Sequence, residues 1–270
     1  MLWFFLCIIV SCGYAQVPEH PFQHGEELKY EIKYKYGLVM IKAGSANYQV
    51  QSAVYNRQAA YESILTFKTY SFFDKFYKIR DTLTSYISVP KLIPLYNGRS
   101  VNEGDTHYLE KLFINKYGEN YTEVHVIREK STIVKVDTVL SVNNMGYDLL
   151  NIFMYVRALN YEQLTPGIAL STTTFLGESK VNIIIRYQGA SILDRGSNVK
   201  YKALKFNIDI ADKTFNESKN SMEIWISDDN NRVPLRLKAK LKIGAAEADL
   251  ISYKNLKHPF EAEIKTKTSK

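Results

Sequence analysis

The sequence predicts a mainly β protein, in which a curved antiparallel sheet forms a closed or half-closed barrel with one or two short helices packed on it. Three observations predict this fold class. Most of the chain alternates apolar and polar residues with a period of two, as half-buried antiparallel strands do. The chain contains 20 Tyr and 13 Phe, and aromatic residues favour strands over helices. Only two segments have the period of an amphipathic helix, so we expect helices to be a minor component.

The first predicted strand covers 28–36. Every second residue there is apolar or aromatic, and the residues between them are Lys or Glu. Gly37 and Gly44 bracket a turn region, after which the alternation continues. Further strands are predicted at 46–50, 61–69, 81–88, 108–115, 121–128, 132–140, 181–188, 201–210, 222–227, 233–243 and 246–253.

Two segments predict helices. In 71–79, four aromatic side chains share one side, and Ser71 and Asp74 are placed to cap the first turn. A second helix is predicted from Asp148, a good N-cap, to Asn160, which a Thr-Pro-Gly turn follows. We expect its apolar stripe to be buried against the sheet, with Phe153 at its centre. The stripe consists of Leu149, Ile152, Phe153, Val156 and Leu159.

Residues 1–15 are predicted to be a signal peptide. An apolar run ends in small residues, with Gly13 and Ala15 placed three and one residues before Gln16, as in signal-peptidase sites. The run is too short for a permanent membrane span, which needs about twenty apolar residues. We therefore expect an exported protein in the periplasm.

Cys12 offers a different processing route. The residues around it fit a lipoprotein box, in which Cys12 would be lipidated and would become the N-terminus of an outer-membrane lipoprotein. The other cysteine, Cys7, also lies in this segment. Cleavage before Gln16 would therefore leave a body without a disulfide, a thiolate metal site or a cysteine nucleophile.

The remaining residues, 16–270, are predicted to form a single β-rich domain, which is long enough to bury a core without disulfides. If two sub-halves exist, the helical segment 143–167 joins them. The formal net charge is +7. That charge suits anionic lipid, lipopolysaccharide or acidic glycan as partners, or it reflects lysines that keep a β surface soluble.

The sequence has no motif of a familiar catalytic chemistry. It contains no Gly-x-Ser-x-Gly elbow, His-Glu-x-x-His pair, P-loop or Rossmann glycine run. His20 and His24 have the spacing of a helical metal pair, but Pro21 and Gly25 argue against a helix there. We predict no catalytic residue, no cofactor and no metal site.

The segment 228–232, Asp-Asp-Asn-Asn-Arg, is predicted to be a tight turn. Asp and Asn accept local hydrogen bonds and tolerate left-handed backbone conformations. The segment lacks the alternating oxygen ligands and the terminal Glu of an EF-hand calcium loop. An acid/base pair formed by Asp228 and Asp229 would make the protein a hydrolase, which is the least favoured hypothesis.

The strand predicted at 233–243 is the most amphipathic element. One of its faces is apolar, and the other carries cations that repeat about every 6.6 Å along the strand. Such a ladder would bind phosphates or sulfated sugars, or it would be a solvated face whose cations pair with acids on a neighbouring strand. The candidate ligand-binding residues of this basic ladder are Arg236, Lys238, Lys240 and Lys242.

Three segments together resemble the uncharacterised bacterial domain-of-unknown-function family 3108. The segments are Phe22-x-x-Gly25-Glu26-x-Leu28-x-Tyr30-x-Ile32-x-Tyr34 with Ala43-Gly44, the helix at 149–159 with Arg157, and 224–229 with Arg232-Val233-Pro234 and Gly244. The resemblance spans residues 22–253. It implies an exported, mostly β envelope protein without an assigned activity, and it transfers no catalytic residue.

The leading hypothesis is a non-catalytic envelope protein that holds or shuttles an apolar ligand, such as a lipid or acyl chain, in a β half-barrel. The alternative is a module that binds glycan or lipopolysaccharide through the basic strand face. We expect no nucleic-acid partner, because no aromatic-interleaved recognition motif is present. Peripheral membrane association is compatible with either hypothesis, and the sequence leaves the oligomeric state open. An internal apolar cavity would favour the first hypothesis and a flat aromatic and basic surface the second.

Overall fold

A computed structural model describes residues 20–89, 91–196, 198–210 and 221–265. The predicted signal peptide, the lipoprotein box and Cys12 lie outside these residues. Neither helix in the described part of the chain has the length and the apolar sequence that crossing a bilayer requires.

The predicted fold class is confirmed, since strands dominate the described residues and helices are few and short. The strands of the first half are β1 (Glu26–Tyr36), β2 (Val39–Tyr55), β3 (Gln58–Thr69), β4 (Arg80–Ser88), β5 (Pro94–Glu103), β6 (Thr106–Gly118), β7 (Tyr121–Lys130) and β8 (Ile133–Val142). The strands of the second half are β9 (Gly146–Tyr147), β10 (Ala169–Leu176), β11 (Ser179–Asp194), β12 (Lys200–Ile210), β13 (Met222–Ser227), β14 (Pro234–Lys240), β15 (Ala245–Lys254) and β16 (Glu263–Ile264). The helices are α1 (Ser71–Asp74) and α2 (Leu149–Arg157), with a 3-10 turn at Tyr161–Gln163.

The strands form a single sheet that curls into a barrel. Strands β1 to β8 make one antiparallel meander and β10 to β15 make another, and the two join where β1 pairs with β15. Strand β9 adds a short parallel edge to β10. Over the residues that the structure describes, the result is a nearly closed barrel of fifteen strands with one seam, between β8 and β9. Strand β16 pairs with β12 outside this order.

The strands overlap near the seam. The four consecutive residues 172–175 of β10 are all buried. Since successive side chains of a strand point to opposite faces, both faces of β10 are covered. Phe175 packs with Leu112 of β6 and Val126 of β7. The edge of the second meander is therefore covered by the inner surface of the first.

Four strands were not predicted from the sequence. Strands β9 and β16 have two residues each, too few to show an alternating pattern. Strands β10 and β5 were missed for other physical reasons. Strand β10 is buried on both faces, so its sequence, Ala-Leu-Ser-Thr-Thr-Thr-Phe-Leu, does not alternate. Strand β5 carries Asn97, Gly98 and Arg99 at its centre, where polar side chains face the interior. A period-two pattern cannot reveal either kind of strand.

Helix α1 is much shorter than the predicted 71–79. Its N-cap residue is Tyr70, which makes no side-chain capping bond, and the Asp74 carboxylate pairs with Arg80 at 2.6 Å. Phe72 and Phe76 are exposed. Short helices depend on tertiary packing of an apolar face for their stability, and this aromatic face stays exposed. The helix accordingly ends after one turn.

Helix α2 crosses one end of the barrel. Asp148 caps it as predicted, accepting hydrogen bonds from the backbone N–H of Leu150 at 3.0 Å and of Asn151 at 3.1 Å. The helix ends at Arg157, so Leu159 lies beyond it. Of the predicted stripe, Val156 is buried as expected, whereas Leu149 is exposed and Ile152 and Phe153 are half-buried. The other buried residues of the helix are Leu150, Asn151, Met154 and Arg157.

Candidate functional site: an apolar cavity beside helix α2

A cavity of about 400 Å³ lies between α2 and the inner surface of the sheet. Its lining is apolar apart from the hydroxyls of Tyr30 and Tyr48. The lining residues are Tyr30, Ile32, Ala46, Tyr48, Leu65, Phe67, Leu83, Leu149, Leu150, Ile152, Phe153, Val156, Ile183, Ile185, Phe206, Ile208, Ile210, Met222, Ile224, Ile226, Pro234, Leu237 and Ala248.

Strand alternation explains this lining. In β12, Phe206, Ile208 and Ile210 line the cavity, and the residues between them face outward. Cross-strand register continues the apolar surface sideways, because Ile208 lies opposite Ile185 of β11 and Met222 of β13. Neighbouring residues on one face of a sheet thus form a continuous apolar wall.

The face of α2 that the sequence predicted as an apolar stripe borders this cavity. Ile152, Phe153 and Val156 belong to the lining, while Met154 packs in the protein core. Phe153 is half-buried, and its ring contacts that of Tyr48 with 5.1 Å between centroids. Phe153 therefore contacts the sheet as predicted, but it also borders empty space. Periodicity cannot distinguish an apolar face that packs on protein from one that lines a cavity.

The cavity lies on one side of the barrel only. Among the described residues, none of its lining comes from β5 to β8 or from β10. The inner surface of β5, β6 and β7 instead carries Arg99, Glu110 and Arg128 in register. Arg128 pairs with Glu110 at 2.7 Å and with Glu178 of the β10–β11 turn at 3.0 Å. These ion pairs and the overlapping edge of β10 occupy the other side.

The two tyrosines at the cavity wall add no charge to it. The Tyr30 hydroxyl donates a hydrogen bond to the carbonyl of Pro234 at 3.0 Å. Burial raises the pKa of Tyr30 and of Tyr48 well above the ordinary value. Both phenols therefore stay neutral, and the wall presents no charge to an occupant.

A buried ion pair fixes the C-terminal end of α2. The Arg157 guanidinium donates to both carboxylate oxygens of Glu26, at 2.6 and 3.0 Å, and neither side chain is exposed. Burial disfavours the charged form of Arg157, but the attraction and the hydrogen bonds of Glu26 outweigh burial and raise the pKa of Arg157. The bidentate geometry is the strongest form of such a pair.

The three segments that resemble the family meet at this arginine. Besides pairing with Glu26 from the first segment, Arg157 donates to the carbonyls of Asn231 at 2.9 Å and Arg232 at 3.1 Å, in the turn before β14. Phe22 lies against the guanidinium, with 5.3 Å from its ring centroid to Cζ. The segments are distant in sequence, and α2 connects them. Their shared role in this structure is to hold the helix across the barrel.

A second polar cluster holds the N-terminal end of α2. Asp148 is buried and accepts hydrogen bonds from Ser85 Oγ of β4 at 2.6 Å and from Asn97 Nδ2 of β5 at 3.4 Å. Burial raises its pKa, although the hydrogen bonds from Ser85, Asn151 and the helix backbone oppose that rise. With both of its ends held, α2 forms a fixed wall of the cavity.

The structure places the basic ladder on the outer surface of the barrel. Strand β14 ends at Lys240, not at the predicted residue 243, so Lys242 lies in the following turn. Arg236 pairs with Asp249 at 2.5 Å, and Lys238 pairs with Glu247 at 3.3 Å.

The other two cations of the ladder, Lys240 and Lys242, have no acidic partner among the described residues. The ladder is thus divided between two ion-paired cations and two lysines near the end of the barrel.

The turn at 228–232 separates its two carboxylates. Asp228 pairs with Arg232 at 3.1 Å. Asp229 is buried and accepts hydrogen bonds from Ser227 Oγ at 2.8 Å and from the backbone N–H of Asn231 at 3.0 Å. Both side chains are used to form the turn. No group of three or more His, Cys, Asp or Glu side chains within the described ranges is arranged to hold a metal ion.

Aromatic rings form a row across the outer surface of the first meander. Tyr55 stacks on Tyr86, with 5.0 Å between the ring centroids, and on Tyr96. Tilted ring contacts continue the row from Tyr96 to Phe113 and His125. A hydrogen bond to Glu62 raises the pKa of Tyr86 to about 12. The rings of Tyr86 and Tyr96 are tilted by 56° and those of Tyr96 and Phe113 by 57°, so the row is not one flat aromatic face.

Comparisons with known proteins agree with this architecture. The model of a family described as "Protein of unknown function (DUF3108)" matches residues 29–251. A similar solved structure is a β-barrel-like protein of the domain of unknown function DUF1849 from Brucella abortus, with a TM-score of 0.56 and 8% sequence identity, covering 86% of this chain and 98% of that chain. At this identity the likeness concerns the fold alone. No curated protein matches the sequence.

Proposed function

The chain belongs to the DUF3108 family, and we propose that it is a non-catalytic protein that holds or shuttles a lipid or acyl chain in the cavity beside α2. The observation that carries the proposal is the cavity of about 400 Å³ with its apolar lining. Small-molecule sites in proteins have volumes of about 300–1,000 Å³. Apolar cavities of only about 150 Å³ already stay dry and bind apolar guests.

The lining favours an acyl chain over a compact polar ligand. A charged group inside the cavity would lose its hydration without gaining a partner, which is unfavourable. The lining reaches the end of the barrel opposite α2, since Ile210 is the last residue of β12 and Met222 the first of β13. An amphipathic ligand would therefore bind with its chain inside and its headgroup at that end.

The proposed location is the periplasm, where two membranes supply acyl chains. The support is the sequence of residues 1–15, with its apolar run and its small residues before Gln16. Lipidation at Cys12 would instead tether the same barrel to the outer membrane. Either route would bring the protein close to its proposed ligands.

Filling the cavity tests the proposal. Ala248 of β15 borders the cavity, so Ala248→Phe places a ring inside it, while Ala245→Phe places the same ring on the opposite face of the same strand. We expect Ala248→Phe to weaken binding of the fluorescent fatty acid cis-parinaric acid at least about tenfold. Ala245→Phe should bind like the parent protein. Circular dichroism and urea unfolding establish that both variants fold.

A series of saturated fatty acids tests the apolar character of the site. Each methylene that enters the cavity should lower Kd by about fourfold, since burying one contributes about 0.8 kcal/mol. The affinity should stop rising with chain length once the cavity is full, and in Ala248→Phe it should stop rising at a shorter chain. Binding that is absent in the parent protein, or that is insensitive to chain length and to Ala248→Phe, would refute the proposal. Mass spectrometry of lipid co-extracted with the native protein would identify the ligand.

A further inference from the structure

We propose that the end of the barrel opposite α2 docks on an anionic lipid bilayer by inserting apolar side chains from three chain connections. The proposal stands on exposed residues and does not depend on the cavity having a ligand. We name these residues the apolar rim. The apolar rim consists of Leu38, Val39 and Met40 in the β1–β2 hairpin, Ile243 in the β14–β15 turn, and Phe72 and Phe76 in the β3–β4 connection.

The exposure of the apolar rim is large. Leu38 is fully exposed, Phe76 is 75% exposed and Ile243 is 65% exposed. Single exposed apolar residues are ordinary, but several large ones gathered at one end of a molecule indicate an interaction surface.

Hydrogen bonds place the three connections at the same end. The Tyr34 hydroxyl of β1 donates to the carbonyl of Ile243 at 2.9 Å. The backbone N–H of Tyr70, next to α1, donates to the carbonyl of Ala43 in β2 at 2.9 Å. From Ala43 to Val39 the β1–β2 hairpin continues about 13 Å further, at about 3.3 Å per residue. The hairpin tip therefore projects beyond α1.

Lysines surround the apolar rim. They are Lys35 and Lys42 in the hairpin, Lys75 and Lys78 around α1, and Lys240 and Lys242 before Ile243. This end of the barrel has fewer acidic side chains than lysines. Glu31 pairs with Lys42 at 2.8 Å and Asp74 pairs with Arg80, while Glu103 and Asp105 lie in the β5–β6 hairpin. Apolar tips bordered by lysines match a bilayer that offers an apolar interior beneath anionic headgroups.

The charge pattern favours a bilayer over a second copy of the chain. Two copies that met through their apolar rims would bring the same lysines together, and such like-charge contacts disfavour association. A membrane surface satisfies the apolar side chains and the lysines at once. The anionic headgroups of the bilayer would also pair with Lys240 and Lys242 of the basic ladder.

Vesicle flotation with the protein cleaved before Gln16, residues 16–270, tests the proposal. We expect binding to vesicles of phosphatidylglycerol and phosphatidylethanolamine that weakens at high salt, and weaker binding to vesicles of phosphatidylcholine. The double variant Leu38→Ser/Met40→Ser should lower the vesicle affinity at least about tenfold. The matched control is Val54→Ser, because Val54 is 73% exposed but lies at the other end of β2. It should bind like the parent protein.

A tryptophan reporter gives an independent measurement. Emission of Leu38→Trp should shift to the blue when anionic vesicles are added, whereas emission of Val54→Trp should not change.

Three outcomes would overturn the proposal: no binding of the parent protein to anionic vesicles, equal binding by the double variant, or loss of self-association in the double variant without any vesicle binding. Because fatty-acid binding is measured separately, the failure of one proposal leaves the other standing.

Discussion

Two arginines on opposite sides of the barrel wall show how differently one kind of side chain is used. Arg157, inside, is fully buried and binds one carboxylate and two backbone carbonyls. Arg236, outside, binds Asp249 at 2.5 Å and Glu247 at 3.5 Å, and its side chain is 12% exposed. The inner carboxylate, Glu26, pairs with one cation, Arg157. The outer carboxylate, Asp249, pairs with three, namely Arg236, Lys33 and Arg195.

The difference lies in what remains when one partner is removed. Inside, Glu26 would be left as an unpaired charge that water cannot reach, which is strongly destabilising. Outside, Lys33 and Arg195 would still pair with Asp249 after the loss of Arg236 and would compensate much of the loss. The inner pair therefore fixes the position of α2, while the outer pairs use cations of the basic ladder that would otherwise be available to a ligand.

The largest expected effect comes from breaking the inner pair. Arg157→Met should lower the free energy of unfolding by about 3–5 kcal/mol, because it leaves Glu26 buried and unpaired. Urea denaturation measures the change. The double variant Glu26→Leu/Arg157→Met removes both charges and should recover part of the loss. A single variant that is no less stable than the double variant would show that Glu26 is not held as a buried charge.

A smaller effect is expected from the outer pairs, and it depends on pH. Burial raises the pKa of Asp249, but hydrogen bonds from Arg236 and Lys33 outweigh burial and lower the pKa to about 2. Because the folded-state pKa lies below the unfolded value, Asp249 stabilises the protein above pH 4 and this stabilisation is lost as the pH falls toward 2. The contribution is about 2 kcal/mol.

The variant Asp249→Asn isolates this contribution. Between pH 5 and pH 2, the parent protein should lose about 2 kcal/mol more unfolding free energy than the variant does. Urea denaturation at a series of pH values measures the difference. Parallel stability curves for the two proteins would contradict the lowered pKa.

The smallest effect is expected from the lysines of the ladder. Changing Lys238, Lys240 and Lys242 together to Gln keeps side-chain length and should change the free energy of unfolding by less than about 0.5 kcal/mol. The same variant tests the glycan and lipopolysaccharide alternative. If the ladder is a ligand site, the variant should lose affinity for lipopolysaccharide, most visibly at low salt. Unchanged affinity would leave the ladder as solvated surface.

Most of the strands and the helix α2 were predictable because their signals are local. The alternation in β1 and the N-cap at Asp148 each depend on residues close in sequence, and the structure confirms both. The helix at 71–79 was overestimated, since nothing in its sequence reveals that Phe72 and Phe76 remain exposed.

The candidate site could be predicted only in part. An apolar interior follows from the inward-facing residues, but a cavity is a volume that packing leaves empty, and no local pattern reports it. Arg157 was available as a signal, because a charged residue stands at the end of an otherwise apolar segment. Its partner Glu26 lies 131 residues away in sequence, so only the folded chain identifies the pair.

By itself, the sequence determined that this protein is a mainly β barrel with a capped central helix, because the periods of strands and helices are properties of neighbouring residues. The tertiary structure decided where the sheet overlaps, that α2 is held at both ends, and that a cavity remains beside it. It also decided that Arg236 and Lys238 pair with acids of β15 while Lys240 has no such partner among the described residues. These features depend on which residues, distant in sequence, come into contact in the folded chain. The energies of burial and of ion pairing arise only from those contacts.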